Sequence, residues 1–251
     1  MSVNTDVLRV LTFNIHKGVS FYSGKQIIDR IKVFIHETKA HLVFLQEVRG
    51  PGQSGLKDAN ETVVYNSQFE YLADTVWDYF VYGKNAIYQK GNHGNAILSA
   101  YPVQSWSNSD ISTNSLEKRG LLHVSVLHPK IGILNLICLH LNLMPWGRKY
   151  QINQLIEKIS EELSVNPLIV AGDFNDWCQA VNEKKFQTIN LKDAFLTTNG
   201  KYVRSYPRIF PILCLDRIYY RGLNPVNVNV LNGNRMNKLS DHAALIVDFS
   251  I

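Results

Sequence analysis

The residues of this chain that could do chemistry sit in short clusters, each at the end of an apolar run. Asn14 and His16 close Leu11-Thr12-Phe13-Asn14-Ile15-His16, and Glu47 closes Leu42-Val43-Phe44-Leu45-Gln46-Glu47. His140 and Asn142 end the run that starts at Asn135, while Asp173 and Asn175 follow Leu168-Ile169-Val170-Ala171-Gly172. Asp216 lies in Leu215-Asp216-Arg217-Ile218-Tyr219, and Asp241-His242 precedes the run Ala243 to Phe249. A strand fixes the backbone at its end, so side chains from several strand ends can meet at one rim. Four acids with several Asn and His in such positions suit divalent-metal phosphoryl chemistry. One or two carboxylates, with water and phosphate, hold a hard cation such as Mg²⁺. Amides and imidazoles hydrogen-bond the charge that develops on the phosphoryl oxygens. An acid can align the attacking water, and a buried Asp can orient a His. Taken singly, Asp173 is also an ordinary turn residue and His140 an ordinary satisfied histidine, so the reading rests on the whole set.

The elements that must position these residues are mostly strands. Apolar runs recur at Val7–Ile15, Leu42–Gln46, Ala96–Ser99, Leu121–Leu127, Ile133–Leu141, Leu168–Ala171, Asp216–Tyr220 and Ala243–Phe249. Turn residues such as Pro129-Lys130, Asn166-Pro167 and Asn232-Gly233 bound them, which predicts strands. Two segments have helical period instead. Ile27, Ile28, Ile31, Phe34 and Ile35 line one face of a helix over about 24–39, and Ile152, Leu155, Ile156, Ile159 and Leu163 do so over about 148–163. Helices lying between strands predict two packed sheets with helices on their outer faces.

Composition sets the outer limits. Charged residues make up 19% and hydrophobic residues 45%, values that exclude a disordered chain. Lys and Arg exceed Asp and Glu by 26 to 21, a net +5 that suggests a polyanionic partner only faintly. Three scattered cysteines, Cys138, Cys178 and Cys214, predict buried thiols in a reducing compartment rather than disulfides or a zinc site. The N-terminus lacks the pattern of a signal peptide, and no apolar stretch is long enough to span a bilayer. The expectation is a cytoplasmic monomer of one domain, residues 1–251.

Phe13-Asn14, Leu45-Gln46-Glu47, Gly172-Asp173-Phe174-Asn175 and Ser240-Asp241-His242 resemble, in order, the signature blocks of the endonuclease/exonuclease/phosphatase superfamily. That group includes DNase I, abasic-site endonucleases, neutral sphingomyelinases, inositol polyphosphate 5-phosphatases and deadenylases. The resemblance runs from about residue 8 to 249. Asn14-Ile15-His16-Lys17-Gly18, His93-Gly94-Asn95-Ala96, Glu117-Lys118-Arg119-Gly120 and Leu215-Asp216-Arg217-Ile218 look like one bacterial branch, often encoded beside cardiolipin synthases. The resemblance implies a four-layer α/β sandwich of the DNase I-like kind. Two mostly antiparallel β-sheets would pack face to face, with helices outside.

The same resemblance implies a division of labour. Glu47 is the principal metal ligand, with Asn14 and Asp241 close by, and the cofactor is Mg²⁺ or Mn²⁺. Asp173 is the base or water-orienting acid, and Asn175 hydrogen-bonds the phosphoryl oxygens. His242 contacts the phosphate and is held by Asp216, and His140 takes the place of the family's other catalytic histidine. Whether Asp173 or the Asp216–His242 pair activates water is left open. Asn95, Arg119, Asn142 and Arg148 are further candidates for substrate contact. A second motif, Gly91-Asn92-His93, matches the calcineurin-type metallophosphoesterases only in isolation, since their other blocks are missing.

The expected activity is hydrolysis of a phosphodiester in nucleic acid or a phospholipid head group by in-line attack of water. The alternatives are a phosphomonoesterase on an inositol-phosphate-like substrate and a non-catalytic module that binds a phosphorylated ligand. No long insertion adds a membrane-docking module, although peripheral membrane contact is compatible with the reading. Trp146, Trp177, Tyr101 and Phe210 are candidates for the rim, and Tyr206-Pro207-Arg208-Ile209-Phe210-Pro211 is a candidate rim loop.

Overall fold

The computed structural model describes residues 6–20, 24–50, 56–57, 64–65, 67–88, 91–163, 166–177, 183–232 and 239–251. In chain order the strands are β1 (Val7–Asn14), β2 (Leu42–Arg49), β3 (Leu56–Lys57), β4 (Val64–Tyr65), β5 (Tyr79–Tyr88), β6 (Gly91–Ser99) and β7 (Val103–Asp110). They continue as β8 (Gly120–His128), β9 (Gly132–His140), β10 (Leu168–Asp173), β11 (Lys192–Asp193), β12 (Asp216–Arg221), β13 (Asn224–Leu231) and β14 (Ala244–Ser250). The helices are α1 (Ile28–Glu37), α2 (Gln68–Ala73), α3 (Pro145–Glu162), α4 (Glu183–Gln187) and α5 (Ala194–Asn199).

Two six-stranded sheets result, ordered β13-β14-β1-β2-β6-β5 and β11-β12-β10-β9-β8-β7. In each, the central pair is parallel, β1 with β2 and β9 with β10, and every other pairing is antiparallel. The central strands β1, β2, β9 and β10 are buried on both faces, which is why they read as continuous apolar runs. Along β1, Leu8 and Val10 face the second sheet in a central cluster with Phe44, Leu136 and Ile169. Leu11 and Phe13 face the other way and pack with Ile31, Phe34 and Ile35 of α1. Ile137 and Leu139 of β9 likewise pack outward against Leu155 and Ile159 of α3. The order helix, sheet, sheet, helix is the expected four-layer α/β sandwich.

Two helix starts differ from the periodicity. Helix α1 starts at Ile28 rather than near 24, because Gln26 bridges Val19 and the Ile27 N–H donates to Gly18 O at 3.0 Å. Helix α3 starts earlier, at Pro145, where the missing N–H costs nothing in the first turn. Three edge strands are additional to the expected runs: β7 has no apolar run, β5 has only the short Tyr79-Phe80-Val81-Tyr82, and β13 alternates Val226, Val228 and Val230 with Asn. Cys138 and Cys214 are buried free thiols, and Cys178 lies outside the described residues. Among the described residues no helix is long and apolar enough to cross a membrane.

Candidate active site

The C-terminal ends of the two parallel pairs supply one rim. In register, Asn14 of β1 lies beside Gln46 of β2, and Asp173 of β10 beside His140 of β9. Their antiparallel neighbours begin at the same end, bringing Asp216 at the start of β12 and Asp241-His242 just before β14. Ligand sites in layered α/β folds gather outside the carboxyl ends of parallel strands for this reason.

Asp173 is the hub. Asn14 Nδ2 donates to Asp173 Oδ2 at 3.1 Å, and the Asn175 N–H donates to Asp173 Oδ1 at 2.9 Å. His140 Nε2 and His242 Nε2 approach the same Oδ2 at 3.4 and 3.7 Å. His242 Nδ1 donates to Asp216 Oδ2 at 2.8 Å, and the Tyr206 ring packs against the His242 imidazole at 4.9 Å. Asn175 Nδ2 is anchored on Leu141 O at 2.8 Å. The Ser240 hydroxyl donates to Asn14 O at 2.7 Å and accepts the His242 N–H, which ties the Asp241 turn to the end of β1.

Burial sets the electrostatics. It pushes the Asp173 carboxyl up to about 7, with Asp216 raising it further and His242 opposing. Burial alone would lower His242, but the Asp216, Asp173 and Asp241 carboxylates outweigh it and raise the imidazole to about 10. His140 is driven well below its ordinary value by burial, with Arg119 and His242 adding to the effect.

Glu47 stands apart. The pairing of β2 with β6 slips between Leu45 and Val48, and Glu47 adopts φ 56° in this bulge. Bulges re-aim side chains, and a non-glycine residue at positive φ is held there against its preference. The Glu47 carboxylate makes no hydrogen bond to a described residue. His16, Lys17 and Asn175 at this end also have positive φ. Gly172 has φ 149°, and a Cβ there would fall 2.0 Å from Leu139 O of the parallel neighbour. The glycine before Asp173 is therefore required by close strand approach.

One set of ligand atoms among the described residues lies close enough to share a cation. Asp173, Asp216 and His242 bring ligand atoms within 4.8 Å of one another, but the Asp216–His242 contact is already a hydrogen bond. Glu47, Asn14 and Asp241 offer the oxygen donors that a hard cation prefers.

The candidates for substrate contact divide. Arg119 donates from Nε to Leu141 O at 3.2 Å, the carbonyl that also anchors Asn175, and from Nη2 to Glu117 at 2.6 Å. Asn95 is buried with Nδ2 on Gly120 O and Cys138 O, leaving its Oδ1 without a partner among the described residues. Asn142 and Arg148 are bonded within the loop that precedes α3. The Asn142 side chain is fully buried, donates to Thr113 Oγ1 and accepts the Met144 N–H. Arg148 is buried and donates to Leu143 O at 2.5 Å. Both hold the loop that leads into α3. Tyr101 is also buried, in the central cluster, whereas Trp146, Trp177 and Phe210 are exposed. His16, a strand-end residue, and His93 carry no expected role in the site. His16 Nδ1 lies 3.4 Å from Asp241 Oδ1, a relation that its place two residues after Asn14 could have suggested. His93, in the motif set aside above, is lowered by burial and feels the charges of Lys17, Glu47, Arg119 and Arg49.

The sequence pattern of the endonuclease/exonuclease/phosphatase family matches residues 11–242. The chain belongs to this family. Its members are phosphoesterases, nucleases and phosphatases among them, that typically use divalent metals. The uncharacterized Escherichia coli protein YbhP is 36% identical over 97% of this chain and 96% of its own. An endonuclease/exonuclease/phosphatase structure from Beutenbergia cavernae superposes with a TM-score of 0.80 at 19% identity, covering 98% of this chain and 72% of its own. D. rerio TDP2, in complex with a single strand DNA product, superposes at 0.71 and 17% identity, covering 98% and 99% of the two chains. At those identities the two structures show the shared fold.

Proposed function

We propose that this family member is a divalent-metal-dependent phosphodiesterase using Mg²⁺, with Mn²⁺ as a substitute. The observation that carries the reading is the convergence of Asn14, His140, Asn175 and His242 on the single buried carboxylate of Asp173. That arrangement places a candidate base beside N–H donors able to face a phosphate. In this reading Glu47, Asn14 and Asp241 hold the cation, which when bound polarises a phosphoryl oxygen. Asp173 accepts the proton of the attacking water. His242, kept in one orientation by Asp216, donates from Nε2 to a phosphoryl oxygen, and His140 serves the leaving oxygen. Asn175 and Arg119 steady the phosphoryl group. The bond from water oxygen to phosphorus forms as the bond to the leaving oxygen breaks, and the leaving oxygen takes up a proton from solvent. The family neighbour in complex with single strand DNA product supports a phosphodiester substrate class.

The test is hydrolysis of bis(4-nitrophenyl) phosphate with Mg²⁺, with Mn²⁺ and with EDTA. EDTA should abolish turnover, and Asp173→Asn should lower kcat by at least about 10²-fold. Glu47→Gln should remove the Mg²⁺-induced rise in Tm that binding to the native state gives. Undiminished turnover by Asp173→Asn, or in EDTA, would overturn the assignment.

A further inference from the structure

Two exposed apolar projections bracket the mouth of the site. One is the loop into α3, where Leu143, Met144 and Trp146 are each more than half exposed. The other is the loop before β12, where Ile209, Phe210 and Ile212 are 66%, 75% and 52% exposed. Each is bonded to the site it flanks. Trp177 Nε1 donates to Leu143 O at 3.1 Å, and Leu141 O of the same segment holds Asn175. The Arg208 N–H donates to Asp241 O at 2.7 Å, and Arg208 Nε donates to Ser240 O. Both projections leave the end of the sandwich where β9 and β10 stop and β12 starts. Exposed apolar patches of this kind mark interaction surfaces.

We propose that the two projections form a docking surface for an anionic phospholipid bilayer, which presents a headgroup phosphodiester to the site. The proposal rests on the phosphodiesterase reading and names its substrate class. Side-chain type and charge favour a bilayer. Leu143, Met144, Ile209 and Ile212 are aliphatic and offer no face for base stacking, which single-stranded nucleic acid sites use. They are suited to the acyl boundary, while Trp146 and Phe210 are types found at the headgroup level. Within the two segments themselves the ionised charge is of one sign, and the carboxylate that reaches the first of them, Glu117 on the Leu143 N–H at 3.1 Å, is paired with Arg119 at 2.6 Å. Residues 137–156 and 199–215 contain no Asp or Glu, and Lys149, Lys201 and Arg204 are exposed within them. Cations beside inserted apolar residues are what an anionic leaflet attracts. Docking through loops tied to Asn175 and Asp241 would bring the membrane surface to the mouth.

Vesicle flotation tests this, using phosphatidylcholine vesicles with and without phosphatidylglycerol, and bis(4-nitrophenyl) phosphate hydrolysis measured on the same preparations. The full chain should float with the anionic vesicles. The pairs Ile209→Ser with Phe210→Ser, and Leu143→Ser with Met144→Ser, should each weaken binding at least about tenfold. Both should hydrolyse the soluble diester at the unsubstituted rate. A chain that hydrolyses the soluble diester but never floats overturns the docking surface and leaves the phosphodiesterase reading standing. Flotation without any diester hydrolysis supports the surface and removes that reading. Binding of a single-stranded oligonucleotide that both pairs abolish, without flotation, assigns the patch to nucleic acid and overturns the proposal. A dimer in sedimentation that both pairs dissociate, again without flotation, assigns it to self-association and overturns it too.

Discussion

The Asp216–His242 pair gives a sharp test because its two members are not equivalent. Asp216 is fully buried, and its Oδ2 accepts from His242 Nδ1 at 2.8 Å. Its other oxygen, Oδ1, is buried with no hydrogen-bond partner among the described residues. His242→Ala therefore leaves an uncompensated carboxylate inside the protein, a loss of about 3–5 kcal/mol. Within a native stability of roughly 5–15 kcal/mol the chain still folds, and Tm falls by roughly 6–20 °C for a chain of this size. Asp216→Asn is milder. The amide keeps the shape, His242 can shed its proton, and the cost is about 1–2 kcal/mol. Adding Asp216→Asn to His242→Ala removes the orphaned charge, so the double variant should regain about 2 kcal/mol over His242→Ala alone. Urea melts at pH 7 followed by circular dichroism measure this. In the hydrolysis assay each single substitution should lower kcat by about 10²–10⁴-fold. The double should lose no more than the worse single, because Asp216 acts through His242. A double variant less stable than His242→Ala, or a rate loss equal to the product of the singles, refutes the reasoning.

Two further outcomes follow from features away from that pair. Gly172→Ala forces a Cβ to 2.0 Å from Leu139 O at φ 149°, so it should cost at least about 3 kcal/mol in a urea melt; a change under about 1 kcal/mol contradicts the close approach of β9 and β10. Asp248 accepts from Arg9 Nε at 2.7 Å and Nη2 at 3.0 Å. Burial alone would raise its carboxyl, but the bonds from Arg9 and Asn227 outweigh burial and hold it below the ordinary carboxylate value. Its stabilisation is thus complete above the unfolded value near pH 4 and is lost as pH falls through the lower folded value. Asp248→Asn should cost about 1 kcal/mol at pH 7, given the part-exposed Arg9, and the gap should close below about pH 4. A gap that persists into acid contradicts the sign.

What could be read from the sequence divides along burial. Strands β1, β2, β9 and β10 are covered on both faces, so their composition betrays them, and helices α1 and α3 show because one face meets a sheet. Strand β7 lies at a sheet edge with mostly exposed or half-exposed residues, and nothing in its pattern separates it from loop, whereas β13, at another edge, shows no continuous apolar run but alternates Val226, Val228 and Val230 with Asn. The bulge at Glu47 is equally silent, since it arises from pairing with β6 and not from local preference. For the site, strand-end position found the residues that surround Asp173. It does not show that Asn142 and Arg148, whose types match a phosphate contact, also bond the loop they sit in. Residue type reports capacity for a hydrogen bond, and only the fold determines which partner takes it.

The exception to that accounting is the strongest pointer to function. Asp173 is hydrogen-bonded on both oxygens, and Asp216 is bonded through one, as buried polar groups generally are. Glu47 is instead held at positive φ in a bulge, with no hydrogen bond to a described residue. Folding gains nothing from that arrangement, and strain of this kind persists where function requires it. Four acids, Glu47, Asp173, Asp216 and Asp241, thus gather at one rim of a chain whose net charge is +5. The segments bearing the apolar projections contain only basic ionisable side chains besides His140, Tyr150, Tyr202, Tyr206 and the cysteines Cys138 and Cys214. On the proposed reading, such a cleft would repel an anionic substrate from the centre until a cation is held there, while the basic, apolar margin would attract the surface that carries it.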